Sequence, residues 1–331
     1  MKKYQIYGIG AALVDTEVVV TDAFLSRHKI DKGLMTLVDE ERQFELLGAL
    51  SSHLYHIKRS CGGSACNTVV AASCFGSKTF YSGKVANDDD GKFFVEDLQA
   101  TGVNFHKAET SSGVTGKCLV LVTDDAERTM NTFLGANLDL TSHEVDEPTL
   151  INSDWLYLEG YLVTDDTRMD VAVKAMEYAK ANQVKTSLSL SDPFVVQVFE
   201  DNLHKVIGDG VDLLFCNSDE ARSFTKTHNT EAAAEQLKKY AKTFVITLGA
   251  GGSLSYDGTD LIQTAGVPTN AVDTNGAGDM FAGAFLYAIN AGHSYAWAAT
   301  FANQASARVV SHFGPRIDPL EYKQIKHQFN I

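Results

Sequence analysis

The sequence predicts an α/β protein, with helices on both faces of a parallel sheet and a small β lid. From Asp154 onward, strands at Trp155–Glu159, Lys185–Leu190 and Val211–Cys216 alternate with helical stretches at Thr167–Asn182 and Val195–Ile207. Strands separated by helices of that length form βαβ units, and these give three layers around a parallel sheet. Two β-rich stretches, around Val18 and across residues 117–134, break the alternation. They predict a small separate sheet, drawn from about residues 16–38 and 113–136, of the kind that covers a site. With 331 residues the chain can bury a large core, and a single domain over 1–331 is expected.

In chain order, Tyr4 to Gly8 is a strand that opens into Gly8-Ile-Gly10. A dinucleotide fingerprint must open a helix, but here Leu13 and the β-branched run Thr16-Glu-Val-Val-Val20 follow. A dehydrogenase therefore ranks last among the readings. Asp39 to Leu50 has helical spacing, and Ser60 to Thr68 is a small-residue turn running into the apolar helix Val69–Phe75. Lys78–Ser82 is a strand and Asp90–Ala100 a helix. Lys117–Thr123 and Thr129–Leu134 form a hairpin around Asp124 to Glu127. Thr243–Leu248 is a further strand, and Met280–Ile289 and Tyr295–Val310 are helices, the second ended by Gly314-Pro315. Met280 to Ala307 carries no Asp, Glu, Lys or Arg and is long enough to span a bilayer. Asn290, Gly292, His293 and Ser294 interrupt it, which predicts two buried helices joined by a turn.

A formal charge of −14 without a basic stripe argues against a nucleic-acid partner. The five cysteines form no C-x-x-C pair, so neither a disulfide framework nor a zinc site is indicated. The N-terminus lacks the apolar run of a signal peptide, and a reducing, cytoplasmic location is expected. Walker A, H-E-x-x-H and G-x-S-x-G motifs are absent. Oligomeric state is open between monomer and homodimer.

The residues that carry chemistry cluster around Ala271 to Phe285, a turn that passes straight into a helix. Gly276, Ala277 and Gly278 allow close approach to the backbone, and the helix N-terminus offers unpaired N–H groups and positive dipole. Asp279 stands at that mouth. It is either a helix cap or a base that takes a proton from a nucleophile while the amides receive the transferring charge. Other strand ends carry companions. Asp15, read as following a strand-end turn, suits a polyol hydroxyl or an ordinary turn, and Gly62, Gly63 and Asn67 suit a close-lying hydroxylated ligand or a capped loop. Asn217 and Glu220, three apart, suit either a water shell around Mg²⁺ or a capping arrangement. The turn Gly249-Ala-Gly-Gly252 suits a phosphate or nucleotide. Arg128, on the hairpin, reaches a phosphate or is solvated.

Asp273-Thr-Asn-Gly-Ala-Gly-Asp279, Gly62-Gly63 with Asn67, and Asn217-x-x-Glu220 together resemble the ribokinase-like carbohydrate and nucleoside kinase family, also called the phosphofructokinase B family. The resemblance runs from about Tyr4 to Pro315. It implies a ribokinase-like fold and ATP-dependent, Mg²⁺-assisted transfer of a phosphoryl group to an alcohol. By that resemblance Asp279 is the general base and the amides of Gly276 to Asp279 are the anion hole. Asp15, Gly63 and Asn67 hold sugar hydroxyls, Asn217 and Glu220 organise Mg²⁺ and phosphate, and Thr247, Gly249, Gly252 and Asn303 match the nucleotide pocket. Asp273, Asn275 and Gly314 match a monovalent-cation site, for K⁺. Gly8 to Asp15, Leu188 to Phe194 and the Arg128 hairpin are more similar to adenosine kinases than to ribokinases, although Ala11 replaces an Asn usual there. A purine nucleoside, adenosine or a relative, is the first expected acceptor. A free sugar (ribose, fructose or a keto-deoxy sugar acid) comes second, and a non-catalytic binding regulator is the alternative of another class.

Overall fold

The computed structural model describes residues 2–50, 57–105 and 112–331. Fourteen strands are present among them: β1 (Tyr4–Ile9), β2 (Leu13–Val19), β3 (Met35–Leu37), β4 (Ile57–Gly62), β5 (Thr79–Ser82), β6 (Asn104–Phe105), β7 (Gly116–Val122), β8 (Arg128–Phe133), β9 (Ser153–Glu159), β10 (Lys185–Ser189), β11 (Val211–Asn217), β12 (Ala241–Thr247), β13 (Ser253–Tyr256) and β14 (Leu261–Thr264). Between them run α1 (Asp22–Arg27), α2 (Glu40–Ala49), α3 (Ser64–Phe75), α4 (Asp89–Ala100), α5 (Glu147–Ile151), α6 (Asp166–Ala181), α7 (Pro193–Val198), α8 (Glu200–Ile207), α9 (Ser218–Thr225) and α10 (Thr230–Leu237). The chain closes with α11 (Ala277–Asn290), α12 (Tyr295–Val310) and α13 (Pro319–Gln328).

Nine strands form the main sheet in the order β14-β13-β12-β11-β10-β9-β1-β5-β6, all parallel but for β13, which pairs antiparallel with both β12 and β14. Side chains alternate across it with the strand period of two. Ile6, Leu213, Phe215 and Val245 pack with α3, α11 and α12 on one face. Tyr7, Ile9, Leu214, Phe244 and Ile246 pack with α6, α8 and α10 on the other. The apolar run that could have crossed a bilayer is α11 and α12 with their turn at Ala291 to Ser294. No helix of the described residues is long and apolar enough to cross a membrane.

The smaller sheet has the order β3-β8-β7-β2-β4. It contains the expected hairpin, β7 antiparallel to β8 around residues 123–127. It also takes β4, where the small residues from Ser60 predict only a turn. Ser60 to Gly62 are the end of that strand, with Asp15 opposite Ser60 and Leu13 opposite Gly62. Asp15 is correspondingly not at a strand end but inside β2.

The stretch read as one helix from Val195 to Ile207 is two. Phe199 leaves helical geometry at φ −118°, ψ 30°, and its N–H still closes on Val195 O while α8 restarts.

Strands β1 and β9 are neighbours, yet the chain leaves them toward opposite sides of the sheet, to β5 and to β10. Such a switch point opens a crevice beyond the carboxyl ends of the strands, where ligands bind in open α/β sheets.

Candidate functional site

A cavity of about 300 Å³ lies at that switch point, between the carboxyl ends of the main sheet and the underside of the small sheet. Its wall includes Asp15, Gly63, Asn67, Arg128, Asn217, Glu220, Thr247, Gly276, Ala277, Gly278 and Asp279. These come from segments as distant in sequence as β2 and α11.

Gly276 is the N-cap of α11 at φ +72°, and no side chain caps the helix. Its amides stay open at the cavity, apart from the Ala277 N–H, which reaches Thr274 O at 3.3 Å. A Cβ at Gly276 would stand 2.5 Å from Pro315 Cβ, so both the left-handed backbone and the neighbouring turn demand glycine. Asp279 is not a cap. Its Oδ1 accepts from Ser64 Oγ at 2.6 Å and its Oδ2 from Asn67 Nδ2 at 3.5 Å, both on the first turn of α3. Burial raises the Asp279 pKa to about 6, against the lowering effects of Ser64, Arg128 and Asn67.

Asp15 is 5 % exposed, and burial pushes its pKa to about 7. The seat that admits its carboxylate is Gly62, where a Cβ would lie 2.0 Å from Asp15 Cγ. Gly63 serves another purpose. It has φ +94°, and a Cβ there would meet Ala11 O at 2.0 Å, so the two chain turns that flank the cavity touch backbone to backbone. Asn67 Oδ1 is buried without a hydrogen-bond partner.

Asn217 and Glu220 form a capping box. The Asn217 side chain accepts from the Glu220 N–H, while the Glu220 carboxylate accepts from Asn217 N at 2.9 Å and Nδ2 at 2.6 Å. The capping reading and the ligand reading meet here, because both residues also face the cavity. Arg128 lines the cavity too and makes no ion pair among the described residues. Its guanidinium lies 3.5 Å from Met130 Sδ, and the fields of Tyr161, Asp279 and Asp192 outweigh its burial and raise its pKa.

The expected nucleotide and cation positions lie to one side. Among the residues expected to take nucleotide, Thr247 lines the cavity, whereas Gly249, Gly252 and Asn303 do not. The side of Gly249 that a Cβ would occupy is open space. At Gly252 it lies 2.1 Å from Thr264 O, so the close approach there is internal. Asn303 donates to Ser253 Oγ and to Ala265 O, both at 3.2 Å. The Asp273 carboxylate accepts from Asn275 N and Gly314 N, each at 2.8 Å. Asn275 in turn donates to Glu17 of β2, whose second oxygen is buried without a partner. Among the described residues, no group of three or more His, Cys, Asp or Glu is arranged to hold a metal ion.

Sequence reasoning missed four residues of this region. Glu159 ends β9 and clamps the two turns by accepting from Ala11 N at 2.8 Å and Ala65 N at 2.7 Å. Its position at a strand end was a usable signal. Ser64, Glu17 and Arg168 carried none, because only the folded chain brings them to the site.

Burial raises five carboxylates around this site: Asp279 to about 6, Asp15, Glu159 and Glu220 to about 7, and Glu17 to about 8. Between the ordinary and the raised value, the folded protein holds protons that the unfolded chain has released. Stability therefore falls as pH rises through that window. We expect the melting temperature of the unliganded protein to drop from pH 5 to pH 8, and Glu17→Gln to flatten the upper part of the slope. A calorimetric pH series in which Glu17→Gln follows the wild-type curve would contradict this.

The chain matches the pfkB family carbohydrate kinases over residues 28–322. It is 28% identical to adenosine kinase 2 of Arabidopsis thaliana over 302 residues, 85% of this chain and 86% of that protein. Two solved structures are similar in sequence and fold. A probable sugar kinase from Rhizobium etli CFN 42 has a TM-score of 0.92 and 29% identity, with 100% of this chain and 99% of that one covered. Adenosine kinase from Sinorhizobium meliloti has a TM-score of 0.90 and 32% identity, with 97% and 99% covered.

Proposed function

The chain belongs to the pfkB family of carbohydrate kinases, ATP-dependent enzymes that phosphorylate a hydroxyl group, and from that premise we propose that its acceptor is a purine nucleoside. The observation that carries the mechanism is the Asp279 carboxylate, held by Ser64 and Asn67 at the uncapped N-terminus of α11, in one cavity with Asp15.

In this reading Asp15, Asn67 and the Gly62-Gly63 turn hold the ribose hydroxyls, and Asp279 takes the proton of the hydroxymethyl oxygen. The amides of Gly276, Gly278 and Asp279 receive the phosphoryl group in transfer, with Ala277 shaping the turn and Arg128 reaching the phosphate from the small sheet. Phosphoryl transfer asks little covalent work of a protein, so positioning, a charge-stabilising cradle and one proton acceptor suffice. Thr247, Gly249, Gly252 and Asn303 surround the nucleotide, of which only Thr247 borders the acceptor cavity.

For Mg²⁺, the fit rests on the donor set: Asn217 and Glu220 both border the cavity and bring the amide and carboxylate oxygens that this cation takes through water. Mg²⁺ bound there through water, with Asn217 alongside, would neutralise charge on the phosphates. For a monovalent cation, the orphaned oxygen of Glu17 adds an acceptor beside Asp273, Asn275 and Gly314, and K⁺ is proposed there. The small sheet acts as the lid of one kinase domain spanning 1–331. It supplies Asp15 and Arg128 from above and an apolar roof of Leu13, Val120 and Met130.

The nucleoside rather than a bare sugar is favoured by that apolar roof and by the adenosine kinases among the relatives. The second reading, a free-sugar kinase, is favoured by the TM-score of the Rhizobium etli probable sugar kinase. A coupled ADP assay across nucleosides, ribose, fructose and keto-deoxy sugar acids decides between them. Nucleosides are expected to give the highest kcat/KM, and ribose turned over without any nucleoside would reverse the order.

A further inference from the structure

The amides at the start of α11 can stabilise a transferring phosphoryl group only if they are already in place, because donors that must first reorganise lose their advantage. The turn that delivers them, residues 271–276, lies in neither helix nor strand. Its first part is held by backbone, with Val272 N and Asp273 N both donating to Val310 O. The next two residues are held by side chains.

Thr274 Oγ1 donates to Ala126 O at 3.2 Å, in the loop of the β7–β8 hairpin, and Asn275 Nδ2 donates to Glu17 Oε1 on β2. Both partners belong to the small sheet. Asn275 N meanwhile donates to Asp273 Oδ1 at 2.8 Å, so the residue immediately before Gly276 is fixed at backbone and side chain together. Glu17 and Asn275 are both buried, and breaking a bond between two buried side chains leaves an amide donor with no water to replace its partner.

Glu17 is not part of the cavity wall, whereas Asp15, two residues earlier on β2, is. The strand period of two puts both side chains on one face. Strand β2 therefore presents one carboxylate to the acceptor end of the cavity and the other to the turn that leads into the anion hole. We propose that Glu17 is a positioning residue for phosphoryl transfer, which holds that turn through Asn275 from the strand that carries Asp15. One carboxylate oxygen makes this tie, and the other is the acceptor offered above to a monovalent cation. The proposal rests on the reading of the α11 amides as a phosphoryl cradle, and not on which acceptor is used.

The test uses the full chain. Glu17→Leu removes the accepting oxygen and Asn275→Ala removes the donor. Each is expected to lower kcat with adenosine or ribose by about 10- to 100-fold, the scale of a misplaced reacting group, while KM for ATP changes by less than about twofold. The double variant should lose no more than either single one. Binding of ADP with Mg²⁺ and aluminium fluoride, which imitates the phosphoryl group in transfer, should weaken by a similar factor, with ADP alone bound at wild-type affinity and stoichiometry. A mere loss of folded protein would lower that stoichiometry instead. Glu17→Gln keeps an accepting oxygen and gives up the charge, so it should recover most of the loss. A Glu17→Gln variant as impaired as Glu17→Leu would make the charge beside the cation position the whole effect and overturn the proposal. If Glu17→Leu does not fold, loss in Asn275→Ala with Glu17→Gln spared supports the tie, and equal loss or none in both overturns it. A wild type that binds ADP with aluminium fluoride no tighter than ADP alone overturns the cradle reading and this proposal with it. Tight binding in the wild type that survives Glu17→Leu overturns this proposal alone.

Discussion

Asp279→Asn is expected to lower kcat by about 10²- to 10⁴-fold, the contribution of a positioned general base, with ATP affinity and the fold preserved. The side chain keeps its shape, and Ser64 can still donate to the remaining oxygen. Thermal stability should rise, because the carboxylate is one that burial disfavours. Its pKa is raised from 3.8 to about 6, so its charged form costs stability progressively above pH 4 and fully above pH 6. The same value sets the pH profile: a base must be unprotonated, so turnover of the wild type should fall as pH drops below about 6. Steady-state kinetics with a melting curve checks both halves. Turnover within a few-fold of wild type would remove Asp279 from the mechanism.

The second large effect belongs to Gly63→Ala, through backbone geometry rather than charge. At φ +94° an alanine is strained, and its Cβ would stand 2.0 Å from the Ala11 carbonyl oxygen, which belongs to backbone and cannot rotate away. Strain and overlap together should cost about 2 to 6 kcal/mol and lower the melting temperature by about 5 °C or more. The relaxation must separate the turn after β1 from the start of α3. These are the two segments that Glu159 clamps through Ala11 N and Ala65 N, and α3 carries Ser64 and Asn67. Acceptor KM should therefore rise with the loss of stability, whereas KM for ATP should move little. A Gly63→Ala protein with wild-type melting and acceptor KM would show that the backbone contact is not needed.

The pH series and the acceptor panel address weaker effects, and each reads a different property of the cavity. The five raised carboxylates report its electrostatics, and the panel its size and polarity. They share a physical origin. Acidic groups have been drawn out of water around one cavity.

The residues of the D-T-x-G-A-G-D segment could be read directly, because a glycine turn running into a helix is a local feature whose open amides need no other part of the chain. The βαβ alternation after Asp154 was legible for a similar reason, since strand and helix periods are written in short windows of sequence. Where a short-range rule was ambiguous, tertiary contact chose. The break at Phe199, the strand β4 hidden in a run of small residues, and the placing of Asp15 inside β2 all depend on partners far along the chain.

The site divides along the same line. Sequence alone determined that a carboxylate stands at a glycine-lined helix mouth, with cap and base both open for it, and that glycines lie where backbones must approach. Only the folded chain decided that Ser64 and Asn67 grip Asp279, that Glu17 reaches Asn275, and that Glu159 clamps Ala11 N and Ala65 N. Turns and periodicities are set by neighbouring residues. A hydrogen bond between Ser64 and Asp279 spans 215 positions, and its energy exists only once the sheet has brought α3 and α11 together.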